Sequence, residues 1–239
     1  MSQLSVVIPA FNEAGNIGRL VAETYAAVPG DLLGEVVVVD DCSTDGTAAE
    51  VAALMERHDS LRLIRHLTNA GQSASVRSGV LAARFPLIGT LDGDGQNDPA
   101  DLPKLAALHR PEGPQLVGGI RAKRRDTLSK RLASRAANAI RRTVLHDDCP
   151  DTGCGTKVFS REVYLRLPFF HGQHRYLPAL FRAYGCTTAY APVNDRARAH
   201  GQSNYSNWRR GVMGAYDLVG VSWLIRRTRW ARSTEEAKP

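Results

Sequence analysis

The 239-residue chain is poor in sulfur and has no long apolar run. Its four cysteines, Cys42, Cys149, Cys154 and Cys186, form no Cys-x-x-Cys pair. That excludes a zinc ribbon and a thioredoxin-type dithiol, and reduced thiols are expected in a chain this long. No apolar stretch reaches 18 residues, so no transmembrane helix is expected. The N-terminus runs straight into the strand-like pattern Leu4–Pro9, without the charged and then long apolar regions of a signal peptide. The Gly-x4-Gly-Lys-Ser/Thr loop of NTPases is missing, and so is Gly-x-Gly-x-x-Gly. Gly71-Gln-Ser-Ala-Ser75 begins like a nucleophile elbow but lacks the closing glycine. His146-Asp-Asp-Cys149 offers metal-type side chains, but four consecutive residues rarely converge on one ion, and a loop or capping role fits them better.

What is present suits a soluble globular domain: 43% apolar and 23% charged residues. The net charge of +7 is unevenly placed. Nine basic residues lie between Arg121 and Arg142 (Arg121, Lys123, Arg124, Arg125, Lys130, Arg131, Arg135, Arg141 and Arg142), with Asp126 as the only acid. Such a block implies a polyanionic partner, or else a solvated basic helix face.

The first half of the chain alternates strand-like and helix-like segments. Leu4–Ile8, Val36–Val39, Leu61–Ile64, Pro86–Leu91 and Leu116–Val117 read as strands, the second being wholly β-branched as in a strand buried on both faces. Ala14–Ala27, Thr44–Arg57, Gly71–Arg84 and Pro99–Leu108 read as helices. This alternation predicts an α/β fold with a mostly parallel, helix-flanked sheet, whose ligands bind at the carboxyl ends of the strands. The polar clusters fall there: Asn12-Glu13, Asp40-Asp41 and Asp92-Gly-Asp94. Beyond Arg121 the pattern predicts a basic helix over Thr127–Thr143, a turn-rich stretch over Asp147–Gly155, a helix–strand unit near Arg175–Val193 and a helical tail from Trp208 to Trp230. The organisation expected is one domain over 1–207 and an amphipathic, basic tail over 208–239.

Asp92-Gly-Asp94-Gly-Gln96 follows a strand. Carboxylates two residues apart on extended backbone point the same way, giving a hard oxygen site for Mg²⁺ or Mn²⁺ completed by phosphate oxygens. The plainer reading is an Asp/Gly turn. Asp40-Asp-Cys-Ser-Thr-Asp-Gly-Thr47 can accept from a base N–H or a ribose hydroxyl, and can equally cap a helix.

Pro9-Ala-Phe-Asn-Glu13, Val39-Asp-Asp-Cys-Ser-Thr-Asp-Gly46 and Leu91-Asp-Gly-Asp-Gly-Gln96 together resemble family 2 glycosyltransferases of the GT-A fold. Asp92-Gly-Asp-Gly-Gln96, Asp151-Thr-Gly-Cys-Gly155, His174-Arg-Tyr-Leu-Pro178 and Arg198-Ala-His-Gly-Gln-Ser-Asn-Tyr205 resemble the polyprenol-phosphate subgroup, which includes dolichol-phosphate mannosyltransferases. The resemblance runs from about Leu4 to Trp223. It implies that Pro9, Phe11, Glu13, Asp40 and Asp41 hold the nucleoside of a GDP- or UDP-linked sugar. Asp92, Asp94 and Gln96 would hold a divalent metal and the donor phosphates. Arg121, Arg131 and Arg135, with Ser134, would face the acceptor phosphate, and Arg198, Ser203 and Tyr205 would close over the diphosphate. Two departures stand out: Gln202 replaces a lysine common in relatives, and the subgroup's C-terminal membrane spans are missing.

Three function classes compete: transfer of a sugar to a lipid phosphate, transfer to a hydroxyl of a glycan or small molecule, and non-catalytic nucleic-acid binding. A hydroxyl acceptor needs a general base, and hydroxyl-transferring relatives carry a Glu-Asp pair where this chain has Asp151-Thr-Gly-Cys-Gly155. A phosphate acceptor is already anionic and suits the arginine block. Nucleic acid is not expected as a partner, because the paired acids repel phosphate unless a metal intervenes. In the tail, Trp208, Val212, Ala215, Val219 and Trp223 form one helical stripe followed by Arg226, Arg227, Arg229 and Arg232. That fits either an anionic membrane interface or a helix packed on the core. The expected enzyme is thus an inverting transferase at the cytoplasmic, inner face of a membrane, compatible with a separate membrane partner subunit.

Overall fold

The computed structural model describes residues 2–121, 139–196 and 207–228, the last stretch with its side chains from Gly214 onward. The alternation is realised as β1 (Leu4–Ala10), α1 (Ile17–Ala27), β2 (Leu33–Asp40), α2 (Thr47–Met55), β3 (Leu61–Arg65), α3 (Gln72–Ala82), β4 (Leu87–Thr90), α4 (Leu102–Leu108) and β5 (Pro114–Arg121). The second half adds β6 (Lys157–Ser160), α5 (Arg161–Arg166), α6 (Leu177–Ala183), β7 (Thr187–Val193) and α7 (Asn207–Arg227). One seven-stranded sheet has the order β3-β2-β1-β4-β6-β5-β7, and β6 alone runs against its neighbours β4 and β5.

Apolar side chains alternate across this sheet because both of its faces are covered. One layer joins Val6, Ile8, Val36, Val38, Leu91 and Val158 to Ile17, Leu20 and Val21 of α1, Val51 of α2 and Leu105 of α4. The other joins Val7, Ile88, Leu116 and Phe159 to Val76 and Val80 of α3 and Leu177 and Leu180 of α6. Helix α3 approaches β1 closely at Gly79, where a Cβ would lie 2.3 Å from Val7 Cγ1.

Several element boundaries differ from the sequence reading. Helix α1 begins at Ile17 rather than Ala14, because the preceding amides are held by side chains of the β2–α2 connection and of α2 itself. Asn12 N donates to Ser43 Oγ (2.9 Å), Ala14 N to Asp45 Oδ2 (3.1 Å) and Gly15 N to Glu50 Oε1 (2.6 Å). Helix α2 likewise begins at Thr47, whose amide and hydroxyl both donate to Asp45 Oδ1. Strand β5 is longer than Leu116–Val117 because β7 pairs with it as far as Arg121. Strand β6 and helix α5 were not anticipated: four and six residues are too short to show a period. Of the expected basic helix, 139–145 is helical, and 127–138 lies outside the described residues. Asp40 ends β2 and Asp92 follows β4 by two residues, and these strands each flank β1 rather than each other.

Helix α7 is two-sided. Val221 is buried, and Leu218, Leu224 and Ile225 pack on the α3–α6 layer. Tyr176 Oη donates to Gly214 O at 3.2 Å. The stripe carrying Ala215, Val219 and Trp223 faces outward with Tyr216 beside it, and Trp223 is 63% exposed. Among the described residues no helix is long and apolar enough to cross a membrane.

Replacing Gly79 with alanine should destabilise the protein. Alanine gains about 1 kcal/mol of helix propensity, but overpacking against Val7 costs about 1–3 kcal/mol. A denaturant midpoint that falls for Gly79→Ala checks this, and a rise would show that the α3–β1 contact yields easily.

Candidate active site

The carboxyl ends of β1, β2 and β4 open onto one cleft of about 660 Å³. Pro9, Phe11, Glu13, Asp41, Asp92, Asp94, Gln96 and Arg121 all line it. Asp40 does not: it is fully buried at the end of β2, where Oδ1 accepts from Ser43 N at 3.0 Å and Oδ2 lies 3.5 Å from Arg65 Nε. Arg131, Arg135, Arg198, Ser203 and Tyr205 lie outside the described residues.

Asp41 is committed to the fold of the cleft wall. Its Oδ1 accepts from Ala70 N (2.9 Å) and meets His66 Nδ1 (2.6 Å), while Oδ2 accepts from Gly71 N (2.7 Å). These bonds pull the β3–α3 loop over the end of β2 and start α3 at the cleft. Glu13 Oε2 accepts from Asn16 Nδ2 at 2.9 Å, and the Glu13 amide donates to Thr47 Oγ1 at 2.8 Å.

The loop after β4 is tightly specified. Asp92 N donates to Asn97 Oδ1 (2.7 Å), and Gln96 N donates to Asp94 Oδ1 (3.1 Å). Gly95 takes φ +73°, a left-handed conformation that glycine adopts without strain. The far side of the loop is tied to the chain leaving β7: Arg196 N donates to Gln96 O (2.9 Å), and Asn97 bridges Asp195. The Arg196 guanidinium pairs with Glu23 (2.5 Å) and Asp98 (2.7 Å).

Asp92 is the electrostatic centre of the cleft. Gln72 Nε2, at the start of α3, donates to its Oδ1 at 2.7 Å. Burial, then the neighbouring Asp94 charge, pushes the Asp92 carboxyl up to about 6, and the nearby Lys157 and Arg121 charges only partly counter this. The 151–155 turn presses against it: a Cβ on Gly155 would lie 2.2 Å from Asp92 Oδ2. Only glycine fits there. In the same turn Asp151 receives Arg121 as a fork, Nε to Oδ2 at 2.8 Å and Nη2 to Oδ1 at 2.9 Å.

The sequence gives no local sign of Lys157 and Gln72, which line the cleft, or of Asn97, which holds its loop, while Arg175 and His174 stand in a motif of the family resemblance without a role of their own. Lys157 sits on a strand that was not recognised, and Gln72 sits in a motif weighed only as a nucleophile elbow. His174 also lines the cleft. It shares a 2.6 Å hydrogen bond with Ser73 Oγ, and burial holds it neutral down to about 3.

Among the described residues no cluster of three or more His, Cys, Asp or Glu forms a closed metal cage. Two carboxylates that repel each other, with an amide two residues on, fit a hard cation whose remaining ligands come from a substrate. Because the folded Asp92 carboxyl titrates near 6 and the unfolded one near 3.8, the folded state holds the proton through that window, and the ionised carboxylate opposes folding at neutral pH. Asp92→Asn should therefore raise the metal-free melting temperature at pH 7.5 while removing Mn²⁺ binding. In the unmutated chain, Mn²⁺ affinity should be flat above pH 6 and fall about tenfold per pH unit below it, with proton release on binding. Calorimetry in buffers of different ionisation enthalpy checks both, and affinity independent of pH from 5 to 7 would refute the assignment.

The chain matches Glycosyl transferase family 2 over residues 5–168. It is 31% identical over 229 residues to the dodecaprenyl-phosphate galacturonate synthase of Rhizobium johnstonii, covering 94% of this chain and 68% of that protein. It is 32% identical over 221 residues to the undecaprenyl-phosphate 4-deoxy-4-formamido-L-arabinose transferase of Edwardsiella ictaluri, covering 90% and 66%. The chain thus spans about two thirds of these relatives. Among solved structures, glucosyl-3-phosphoglycerate synthase from Mycobacterium tuberculosis, in complex with Mn²⁺, UDP and glucosyl-3-phosphoglycerate, superposes with a TM-score of 0.69 at 26% identity, covering 94% of this chain and 80% of that one. A mannosyltransferase from Pyrobaculum calidifontis shares the fold with a TM-score of 0.71 at 23% identity, covering 96% and 66%. The family match, the two curated relatives and the cleft at the strand ends agree: this chain belongs to glycosyl transferase family 2.

Proposed function

We propose that this chain transfers a sugar, with inversion, from a UDP- or GDP-linked donor to the phosphate of a polyprenyl phosphate. The observation that carries the reading is the state of the acids in the cleft. A hydroxyl acceptor needs a carboxylate to take its proton. Asp92 and Asp94 belong to the metal loop, Asp41 is bonded to the β3–α3 loop, and Asp151 receives the Arg121 fork. Glu13 lies beside Pro9 and Phe11, toward the proposed nucleoside end. An anionic acceptor requires no base. The two curated relatives, named for polyprenyl-phosphate products, support the same reading.

Asp92 and Asp94, with Gln96, would hold a Mg²⁺ or Mn²⁺ ion, as the solved relative with Mn²⁺ and UDP suggests, and the ion would stabilise charge on the departing diphosphate. The chain's own part is positioning. Gln72 orients Asp92, Asn97 and Arg196 fix the loop, and Pro9, Phe11 and Glu13 offer a wall for the nucleoside. Arg121 stiffens the 151–155 turn and adds positive charge, while Arg131 and Arg135 are assigned to the acceptor phosphate, and Arg198, Ser203 and Tyr205 to the diphosphate, through the family resemblance.

The outward stripe of α7 supports docking at an anionic membrane surface: Tyr216, Val219 and Trp223 are exposed, with Arg226 and Arg227 at the helix end. We assign the tail 208–239 this role, place the enzyme peripherally at the inner face, and keep a membrane partner subunit as compatible with it.

Turnover should be at least 100-fold faster with undecaprenyl phosphate than with undecaprenol, a gap of about 3 kcal/mol in barrier. The product's anomeric configuration, read by NMR, should be inverted. A preference for the alcohol would instead favour a hydroxyl-acceptor transferase. Replacing Tyr216, Val219 and Trp223 together with serine should weaken sedimentation with phosphatidylglycerol vesicles without lowering the melting temperature. Unchanged binding would assign membrane contact to another surface.

A further inference from the structure

Lys157 pairs with Thr90 across the β4–β6 ladder and shares the sheet face of Ile88 and Phe159, beneath α3 and α6. From there its side chain reaches the floor of the cleft, 5% exposed and lining it beside Asp92 and His174. The ammonium donates to the Cys154 carbonyl. Among the described residues it makes no ion pair, and that carbonyl is its only hydrogen-bond partner. An ammonium carries three donors, so two remain for ligand atoms.

The Asp92 charge is close enough to interact with this ammonium but forms no ion pair with it, so two of its donors stay unfilled in a buried place, where a neutral donor would satisfy one carbonyl more cheaply. The arrangement makes sense where an anion completes the site. We propose that Lys157 binds a phosphate oxygen of a reacting ligand in the cleft. The shared chemistry is a phosphate oxyanion, supplied either by the acceptor's phosphomonoester or by the diphosphate of the donor. In its acceptor form the inference rests on the reading given under Proposed function. Lys157 then adds, from the sheet itself, a rigidly placed positive charge beside the metal carboxylates, where phosphate charge shifts during transfer.

The test separates charge from structure. Lys157→Gln keeps an N–H for the Cys154 carbonyl and removes the charge, and Lys157→Met removes both. Titration calorimetry would measure UDP and GDP in the presence of Mn²⁺, and separately farnesyl phosphate against farnesol. The expected result is that Lys157→Gln melts close to the unmutated protein yet binds one phosphate-bearing probe about 10- to 100-fold more weakly, as loss of a charge-assisted hydrogen bond predicts. A loss confined to farnesyl phosphate assigns the acceptor, and a loss confined to the nucleoside diphosphates assigns the donor. Unchanged affinity for every probe in Lys157→Gln overturns the proposal and leaves Lys157 as a support for the 151–155 turn. Should Lys157→Met fail to fold, the glutamine variant still decides. If the unmutated chain binds nucleoside diphosphate but not farnesyl phosphate, the phosphate-acceptor reading fails independently of Lys157.

Discussion

Two carboxylates held close together in a partly buried loop repel each other, and the rest of this active site is organised around that repulsion. Asp92 cannot relax outward. Its amide is bonded to Asn97, its Oδ1 to Gln72, and its other side is closed by the backbone at Gly155. The protein offsets the repulsion only in part, through the fields of Lys157 and Arg121. On the assignment proposed for Asp92 and Asp94, full compensation would come from a cation and from the phosphates it carries. A site built this way is weak without its substrate complex and strong with it, which suits a transferase that must release a nucleotide every cycle.

The antiparallel strand β6 delivers much of this geometry. A sheet that stayed parallel would have sent the chain after β5 away from the strand ends. Reversing one strand between β4 and β5 brings the 151–155 turn directly onto the end of β4, so Gly155 meets Asp92 and Asp151 meets Arg121. The same reversal places Lys157 on the floor of the cleft.

Acids gather where β1, β2 and β4 end, and structural partners occupy several of them: Asp41 anchors a loop, and Asp98 pairs with Arg196. Helix α7 lies against the α3–α6 layer, with Gly172 of the segment before α6 close to its Asp217 and Tyr176 bonded to its backbone. Its apolar outer stripe and the cleft therefore share one supporting layer of the fold.

The mostly parallel character of the sheet, the order of elements as far as β5 and the ends of β1, β2 and β4 were legible in the sequence, because β-branched runs, helix periods and carboxylates after strands are local signals. Asp92, Asp94 and Gln96 could be named from residue chemistry and spacing, Pro9, Phe11 and Glu13 only through the family resemblance, and the structure brings all six to one cleft. Tertiary structure alone decided which of these acids line the cleft. Asp40 and Asp41 are neighbours in sequence, yet one is sealed beneath the sheet end and the other bonds a loop 30 residues away. Gln72 and Lys157 carry no local mark of function, since their part in the site is a distance to Asp92 across the fold. The tail shows the same division. Its helical stripe was set by the spacing of Ala215, Val219 and Trp223, but that this stripe faces outward depends on Leu218, Val221, Leu224 and Ile225 finding the core first. Periodicity fixes which residues share a face, and only the competition between faces for burial fixes which way that face turns.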